Sequence, residues 1–323
     1  MSAKRPECAS SGARGVKVSS VSPVEDRESV AGSTGRLFVP EDPFFGAAPE
    51  PSTIEEGLTE ARLIIASAVA QHGPICRSFL LLSGGNDSMV LLDACSSDAD
   101  SIVHINTGIG VPATNEFVRW VVGVMGRELI EMHPPIPYRD LVLGRWKGFP
   151  GPGGHRFPYT MLKERCVEQL LRDHRSRRGD RFILLTGARA GESRRRMGTA
   201  EPVRRVGGQV WVNPLLRWSN DLMAEYRATR GLPVNEVTKH LHMSGECLCG
   251  AFAKPGELEE IRFFYPDVAA QIEGLEAEVR AAGIRRCRWG IEGPRLNDPA
   301  PGPMCSSCTL WDSQVGGEVE HGN

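Results

Sequence analysis

Residues 80–92 read Leu-Leu-Leu-Ser-Gly-Gly-Asn-Asp-Ser-Met-Val-Leu-Leu, two apolar runs parted by two glycines, two hydroxyls and a carboxylate. A buried strand that stops in small polar residues and at once resumes apolar suits a loop wrapped around something close to its own backbone. Glycines at a strand-to-helix turn let amides approach an anion with no Cβ in the way, and the positive end of the following helix adds attraction. Ser83 and Ser88 add hydroxyl donors. Asp87 would repel a phosphate unless it caps the helix or holds Mg²⁺. No Lys follows the glycines in GK[ST] order and no GxGxxG is present, so neither of those phosphate loops is met.

Outward from this stretch, helical and strand patterns alternate. Residues 52–73 (STIEEGLTEARLIIASAVAQHG) start with a Ser/Thr cap and carry apolar residues at helical spacing, and Arg77 to Leu82 forms a strand. A helix from Asp87 to Ala94 follows, then a strand at Ser101–Ile105, a helix opening at Pro112 and a strand at Glu128–Met132. After the Gly/Pro-rich loop GRWKGFPGPGGHRFP come a helix from Tyr159 to His174 and a fourth strand, Arg181–Thr186. Strands spaced by helices predict an α/β, doubly wound, mostly parallel sheet whose ligands bind beyond the carboxyl ends of the strands. From about Val210 the pattern turns helical. The expected organisation is a tail at 1–50, a nucleotide-binding domain at 51–212, a helical cysteine-rich module at 213–311 and a second tail at 312–323, with both tails disordered.

Bulk properties narrow the function less than the motifs do. At 323 residues and 41% hydrophobic the chain can bury a proper core, and a net charge of −2 favours no class of partner. No apolar run reaches the ~18 residues of a membrane span and the N-terminus lacks the pattern of a secretory signal, so the expected compartment is the cytoplasm, with no membrane partner. Eleven arginines lie between Arg172 and Arg205, a density that fits an anionic ligand or a nucleic-acid backbone as readily as a charged surface. Of nine cysteines, five (Cys247, Cys249, Cys287, Cys305 and Cys308) crowd the last quarter. C-x-x-C and C-x-C spacings turn two sulfurs toward one metal, and four thiolates suit tetrahedral zinc or a [4Fe–4S] cluster alike. Cys76, Cys95 and Cys166 fall within strand or helix patterns and are expected to be buried as small apolar residues.

Ser83-Gly-Gly-Asn-Asp-Ser88 resembles the SGGxDS pyrophosphate loop of the PP-loop ATPases, the adenine nucleotide α-hydrolase superfamily. Three further stretches narrow the resemblance to phosphoadenosine phosphosulfate (PAPS) reductase-like proteins. They are Ile105-Asn-Thr-Gly-Ile-Gly-Val-Pro112, Gly187-Ala-Arg-Ala-Gly-Glu-Ser-Arg-Arg-Arg196, and Asn213-Pro-Leu-Leu-Arg-Trp-Ser-Asn-Asp221 with Tyr226 and Leu232-Pro-Val234. The GFPGP…H…LKER segment is similar to the branch holding phage PAPS-reductase-like proteins and the sulfurtransferase subunit of DNA phosphorothioation systems.

The resemblance implies an enzyme that binds ATP or a PAPS-like nucleotide, with Mg²⁺, and cleaves ATP to AMP and pyrophosphate to adenylate a substrate for sulfur transfer. It implies that Ser83, Gly84, Gly85, Asn86, Asp87 and Ser88 grip pyrophosphate, that Asn106, Thr107 and Gly108 face the nucleoside, and that Gly187, Lys163 and Arg165 contact the nucleotide. Asp87, Ser88, Arg189 and Arg194 are the expected catalytic residues; arginine after a strand's carboxyl end suits bidentate contact with phosphate or sulfate. His155 is read either as a phosphate or proton-transfer contact or as an ordinary loop histidine. The family favours a [4Fe–4S] cluster on the five late cysteines over zinc. DNA or tRNA as acceptor and a sulfur donor such as a cysteine desulfurase are the implied partners. The E-C-G-[IL]-H segment bearing the nucleophile of assimilatory reductases is absent, and Cys287, flanked by Arg285, Arg286 and Arg288, is the best substitute. Two rival readings stand beside this one: a thiol-dependent PAPS or adenylyl-sulfate reductase releasing sulfite, and a catalytically silent nucleic-acid-binding subunit.

Overall fold

The computed structural model describes residues 50–151, 154–192 and 200–290. Both expected tails, together with Arg194, Cys305 and Cys308, lie outside these residues. Helix α1 (Ile54–His72) opens with a capping box in which the Thr53 hydroxyl accepts from the Glu56 amide while the Glu56 carboxylate accepts from the Thr53 amide. Strand β1 (Arg77–Leu81) leads into α2 (Asn86–Cys95), β2 (Ser101–Ile105) into α3 (Pro112–Val124), and β3 (Leu129–Met132) into the Gly/Pro-rich loop. The helix expected over Tyr159–His174 comes in three pieces: Arg156–Tyr159, a π-helical turn at Thr160–Glu164, and α4 (Arg165–His174). A π turn widens the helix and shifts the facing of the residues C-terminal to it. Lys163 is buried here and Arg165 exposed.

Strand β4 (Phe182–Leu185) is followed by a hairpin that the sequence patterns did not reveal, β5 (Val203–Val206) and β6 (Gln209–Val212). The six strands are ordered β3-β2-β1-β4-β6-β5, all parallel except the edge strand β5, which runs antiparallel to β6. In β1, Leu80 and the following Leu82 face one side of the sheet, where α1, α2 and α3 pack. Phe79 and Leu81 face the other side, against Val167, Leu170 and Leu171 of α4. This two-sided burial is what a doubly wound parallel sheet requires. Cys95 and Cys166 are buried as expected, whereas Cys76 is only partly so.

The remaining helices are α5 (Asn220–Arg230), α6 (Glu236–Leu241), α7 (Glu257–Phe264) and α8 (Pro266–Ala281). Leu215, Trp218, Leu222, Met223 and Tyr226 belong to the same core as α1 and α2, so packing is continuous across residue 212. A separate apolar cluster joins α6, α7 and α8 with Ile109, Val111, Tyr138 and Trp289. Among the described residues no helix is long and apolar enough to cross a membrane.

At the β3 edge, the Glu131 carboxylate accepts from Arg119 Nε and Nη2 at 2.8 and 2.7 Å and from Asn106 Nδ2 at 2.9 Å. The Arg119 hydrogen bond, helped by Asn106 and opposed by burial, lowers the Glu131 carboxyl from 4.5 to about 2. A depressed carboxyl contributes stability that is complete above its unfolded value and lost as pH falls toward its folded one. Urea denaturation at pH 6 and pH 3 should therefore show a smaller acid-induced loss in Glu131→Gln than in the parent protein. In the central strand, Phe79→Ala is expected to cost about 3–5 kcal/mol, read as a lowered urea midpoint with unchanged slope.

Candidate functional site

The carboxyl end of β1 turns at Ser83–Gly85 into the first turn of α2. Gly85 caps the helix without a side-chain bond, so the first amides of α2 have no partner within the helix. The loop is braced internally: Ser83 Oγ accepts from the Gly85 amide at 3.3 Å and donates to Ser88 Oγ at 3.0 Å, while Ser88 Oγ donates to the Gly85 carbonyl at 2.9 Å. From outside, Asn235 Nδ2 donates to the Gly84 carbonyl at 3.2 Å and to Thr114 Oγ1 at 3.0 Å. Asn235, which caps α6 and follows Leu232-Pro-Val234, is a support that the motif pattern does not mark.

Asp87 does not stand as a bare negative charge in this loop. Its Oδ2 accepts from Arg189 Nε at 2.9 Å, and the buried guanidinium also donates through Nη1 to the Trp218 carbonyl at 3.1 Å. A Cβ on Gly187 would lie 3.1 Å from the Asp87 carbonyl carbon and oxygen and 3.2 Å from the Ser88 amide, so that the start of α2 would have to give by a few tenths of an ångström.

Ser83, Gly85, Asn86, Asp87, Ser88 and Gly187 line a cavity of about 260 Å³. Leu81, Leu82, Val103 and Ile105, at the carboxyl ends of β1 and β2, give it an apolar side. Its far wall is made by His155, Tyr159 and Lys163 from the segment around the π turn and by residues 242–244 and 246–254, among them Glu246, Cys247 and Cys249. His155 packs on Phe252 with ring centroids 4.3 Å apart. Gly84 and Arg165 are not part of the lining, and Arg165 is exposed. Arg189, expected to reach toward a ligand anion, is also outside the lining and instead neutralises the loop carboxylate.

The segment bearing the C-x-C thiols is fastened along its length. Thr114 Oγ1 donates to the Ser244 carbonyl at 2.6 Å, the Val111 amide to Gly245 at 2.7 Å and Thr107 Oγ1 to Glu246 at 2.6 Å. The Leu248 amide donates to the Ile109 carbonyl at 3.0 Å, Trp289 Nε1 to the Leu248 carbonyl at 2.8 Å and the Tyr138 hydroxyl to Cys249 at 2.8 Å. Gly110 is required by this crossing, since a Cβ would sit 2.4 Å from the Glu246 carbonyl oxygen. Thr107 of the N-T-G segment thus acts as a fastener of the thiol segment. Asn106, Thr107 and Gly108 line a second cavity of about 540 Å³, with Tyr138 and Arg139, and do not line the one beside the Ser83–Ser88 loop.

A hydrogen bond from Cys249 is the main cause lowering the Cys247 thiol to about 7; the Lys163 ammonium assists, and burial works against both. Lys163 and Glu246, 8% and 7% exposed, form a buried ion pair beside it. Cys287 is half-buried and is not part of the cavity lining. Among the described residues no three or more His, Cys, Asp or Glu side chains are grouped to hold a metal ion. With Cys305 and Cys308 outside those residues, the described thiols do not make up a four-ligand site for a [4Fe–4S] cluster or zinc. The arginine-dense stretch is also divided. Exposed Arg172, Arg177 and Arg178 precede β4, while exposed Arg204 and Arg205 lie on the edge strand β5, opposite Trp211 and Val210 of β6.

Several solved structures are similar in fold at low identity. The PAPS reductase of Candida auris, in a phosphate complex, is 16% identical with a TM-score of 0.41, over 58% of this chain and 92% of that one. FMN adenylyltransferase of Candida glabrata, with FAD and inorganic pyrophosphate, is 14% identical with a TM-score of 0.42, over 60% of this chain and 63% of that one. The U34-tRNA thiolase NcsA of Methanococcus maripaludis, with its [4Fe–4S] cluster, is 13% identical with a TM-score of 0.40, over 70% and 78%. No curated protein matches the chain. The family model of the phosphoadenosine phosphosulfate reductase domain matches residues 77–244, from the first strand of the sheet to the edge of the thiol segment. Since that match takes in more than half of the 323 residues, the chain belongs to the phosphoadenosine phosphosulfate reductase domain family.

Proposed function

We propose that this protein is an enzyme that binds ATP or a close adenine nucleotide and breaks the bond between the α and β phosphates, adenylating a substrate for sulfur transfer. The observation that carries the reading is that the phosphate loop and the thiols of Cys247 and Cys249 line one cavity. The opening amides of α2 with Ser83 and Ser88 hold the pyrophosphate portion, a preorganised set of donors where negative charge develops. Arg189 keeps Asp87 from repelling it. Mg²⁺ arriving with the nucleotide supplies further neutralisation of phosphate charge.

In the first step a substrate oxygen bonds to the α phosphorus and pyrophosphate leaves. In the second, the outer sulfur of a persulfide on a cysteine attacks the atom bearing the adenylate and AMP departs with the oxygen. A second thiol then attacks the cysteine sulfur of the resulting disulfide, releasing the substrate with its new sulfur as a thiolate, and a further thiol reduces the mixed disulfide left on the enzyme. Cys247 is the candidate carrier, because its lowered pKa gives a larger thiolate fraction near neutrality. Sulfur reaches it as a persulfide from a donor such as a cysteine desulfurase. A DNA or tRNA acceptor belongs to this reading through the arginine-rich loops. A [4Fe–4S] cluster or zinc on the late cysteines has no step in it.

A second reading, reduction of PAPS or adenylyl sulfate with release of sulfite, is favoured by the same thiol. Cys247 stands in the cavity where the family's missing nucleophile would be needed, a role for which the sequence alone points to Cys287. Anaerobic incubation with each nucleotide separates the two, since pyrophosphate from ATP marks the adenylating route and sulfite from PAPS the reductive one. On the adenylating route, Asp87→Ala is expected to lower ATP-dependent pyrophosphate release by about 100-fold, because the buried Arg189 loses its partner and the loop it ties to the Trp218 carbonyl is misplaced. Cys247→Ser should retain that release and lose sulfur transfer. Unchanged release in Asp87→Ala counts against the assignment.

A further inference from the structure

Beyond the influence of Lys163 on the Cys247 thiol, the Lys163–Glu246 pair has no assigned role in the proposed reaction. Both side chains are buried, both line the cavity beside the Ser83–Ser88 loop, and they form an ion pair with each other on its far wall. Lys163 is carried into the cavity by the π turn at Thr160–Glu164. Glu246 is held from behind by the Thr107 hydroxyl on its carbonyl. A buried ammonium in an anion-binding cavity is ordinarily a ligand contact, yet here a carboxylate of the protein already occupies it.

We propose that Glu246 is a specificity-determining residue that makes this cavity select polyphosphate chains over single phosphates. The inference rests on nucleotide binding at the phosphate loop. A phosphate oxygen arriving at Lys163 shares the ammonium with the Glu246 carboxylate, and in a site removed from water neither anion is then fully compensated. A polyphosphate spreads its charge over the α2 amides, the Ser83 and Ser88 hydroxyls and its accompanying cation, so contact with Lys163 is a small share of its binding. A monophosphate has fewer of these contacts and bears the repulsion in full. Glu246 therefore works by exclusion, the repulsive element on which discrimination between related ligands often relies. The consequence is retention of ATP and pyrophosphate with ready release of AMP.

The test is calorimetric titration of the full chain with pyrophosphate, ATP and AMP. Wild-type protein is expected to bind pyrophosphate and ATP more tightly than AMP. Glu246→Gln keeps the side-chain shape, and it should tighten AMP by roughly tenfold, within the range of couplings between interacting sites, while tightening pyrophosphate less, so that the ratio narrows. Thr107→Val removes a fastening of the same segment without touching charge and should leave the ratio as it is; a purely structural role for Glu246 would move both variants alike. Lys163→Met/Glu246→Gln, which takes both charges out of the interior, should weaken pyrophosphate and show no gain for AMP. This double variant carries the test if Glu246→Gln alone does not fold. An unaltered ratio in Glu246→Gln, or AMP tightened in the double variant as much as in Glu246→Gln, overturns the proposal and leaves nucleotide binding standing. Absence of pyrophosphate and ATP binding in the wild type overturns both.

Discussion

The bond between the Arg189 guanidinium and the Asp87 carboxylate is the constraint on which the rest of the site depends. A carboxylate in the first turn of a helix interacts well with the helix dipole, but it competes with any external anion for the same positive end. Pairing Asp87 with a buried arginine removes that competition without removing the residue. The same guanidinium reaches the Trp218 carbonyl, so the loop is tied to the segment C-terminal to the sheet. Trp218 is itself buried against α1, α2 and α5, and the position of the loop is thereby set by the core. Gly187 completes the arrangement, because the chain carrying Arg189 passes so close to the start of α2 that a Cβ there would press on its backbone.

A second constraint holds the thiols. A stretch containing Cys247 and Cys249 lies outside any helix or strand, where a chain of this length would ordinarily be adaptable. Here its carbonyls are taken up one after another by Thr114, Val111, Thr107, Trp289 and Tyr138, which come from separate parts of the chain. Irregular backbone fixed in this way offers side chains in defined directions, which is what a positioned reactive group requires. The cost is that residues near Asn106 are committed to support, which explains why their side chains hold Glu131 and Glu246 in place and do not open onto the phosphate loop.

The fold was legible in the sequence wherever burial is strong and local. Strands β1, β2 and β4 are fully apolar at their centres, and the glycine-rich turn after β1 announces a helix start. The β5–β6 hairpin escaped because β5 reads Val-Arg-Arg-Val, with neither alternation nor burial to mark it, and because β6 runs straight into a segment of helical character. The glycine turn after β1 was legible from the apolar strand before it and the small polar residues in it, although a Cβ at Gly84 would meet Thr114 and Val118 and one at Gly85 would meet Ser244, contacts distant in sequence. The meeting of Cys247 with that loop was not, since it arises from pairing between residues 107–111 and 245–248, and no local pattern encodes a contact over that separation. Arg189 shows the same limit: its place near the site could be read locally, but its bond to Asp87, 102 residues away in the chain, could not.

The reversed strand at one margin of the sheet has a meaning of its own. A parallel sheet that ended on β6 would present an apolar strand with unpaired amides and carbonyls, an invitation to stack with another copy of itself. Val203–Val206 covers that rim and turns outward two arginines, Arg204 and Arg205, while the opposite rim carries Arg119 and Glu131. Charged residues on both selvedges guard the molecule against ribbon-like self-association during synthesis, when neighbouring chains are crowded and sheets are newly formed.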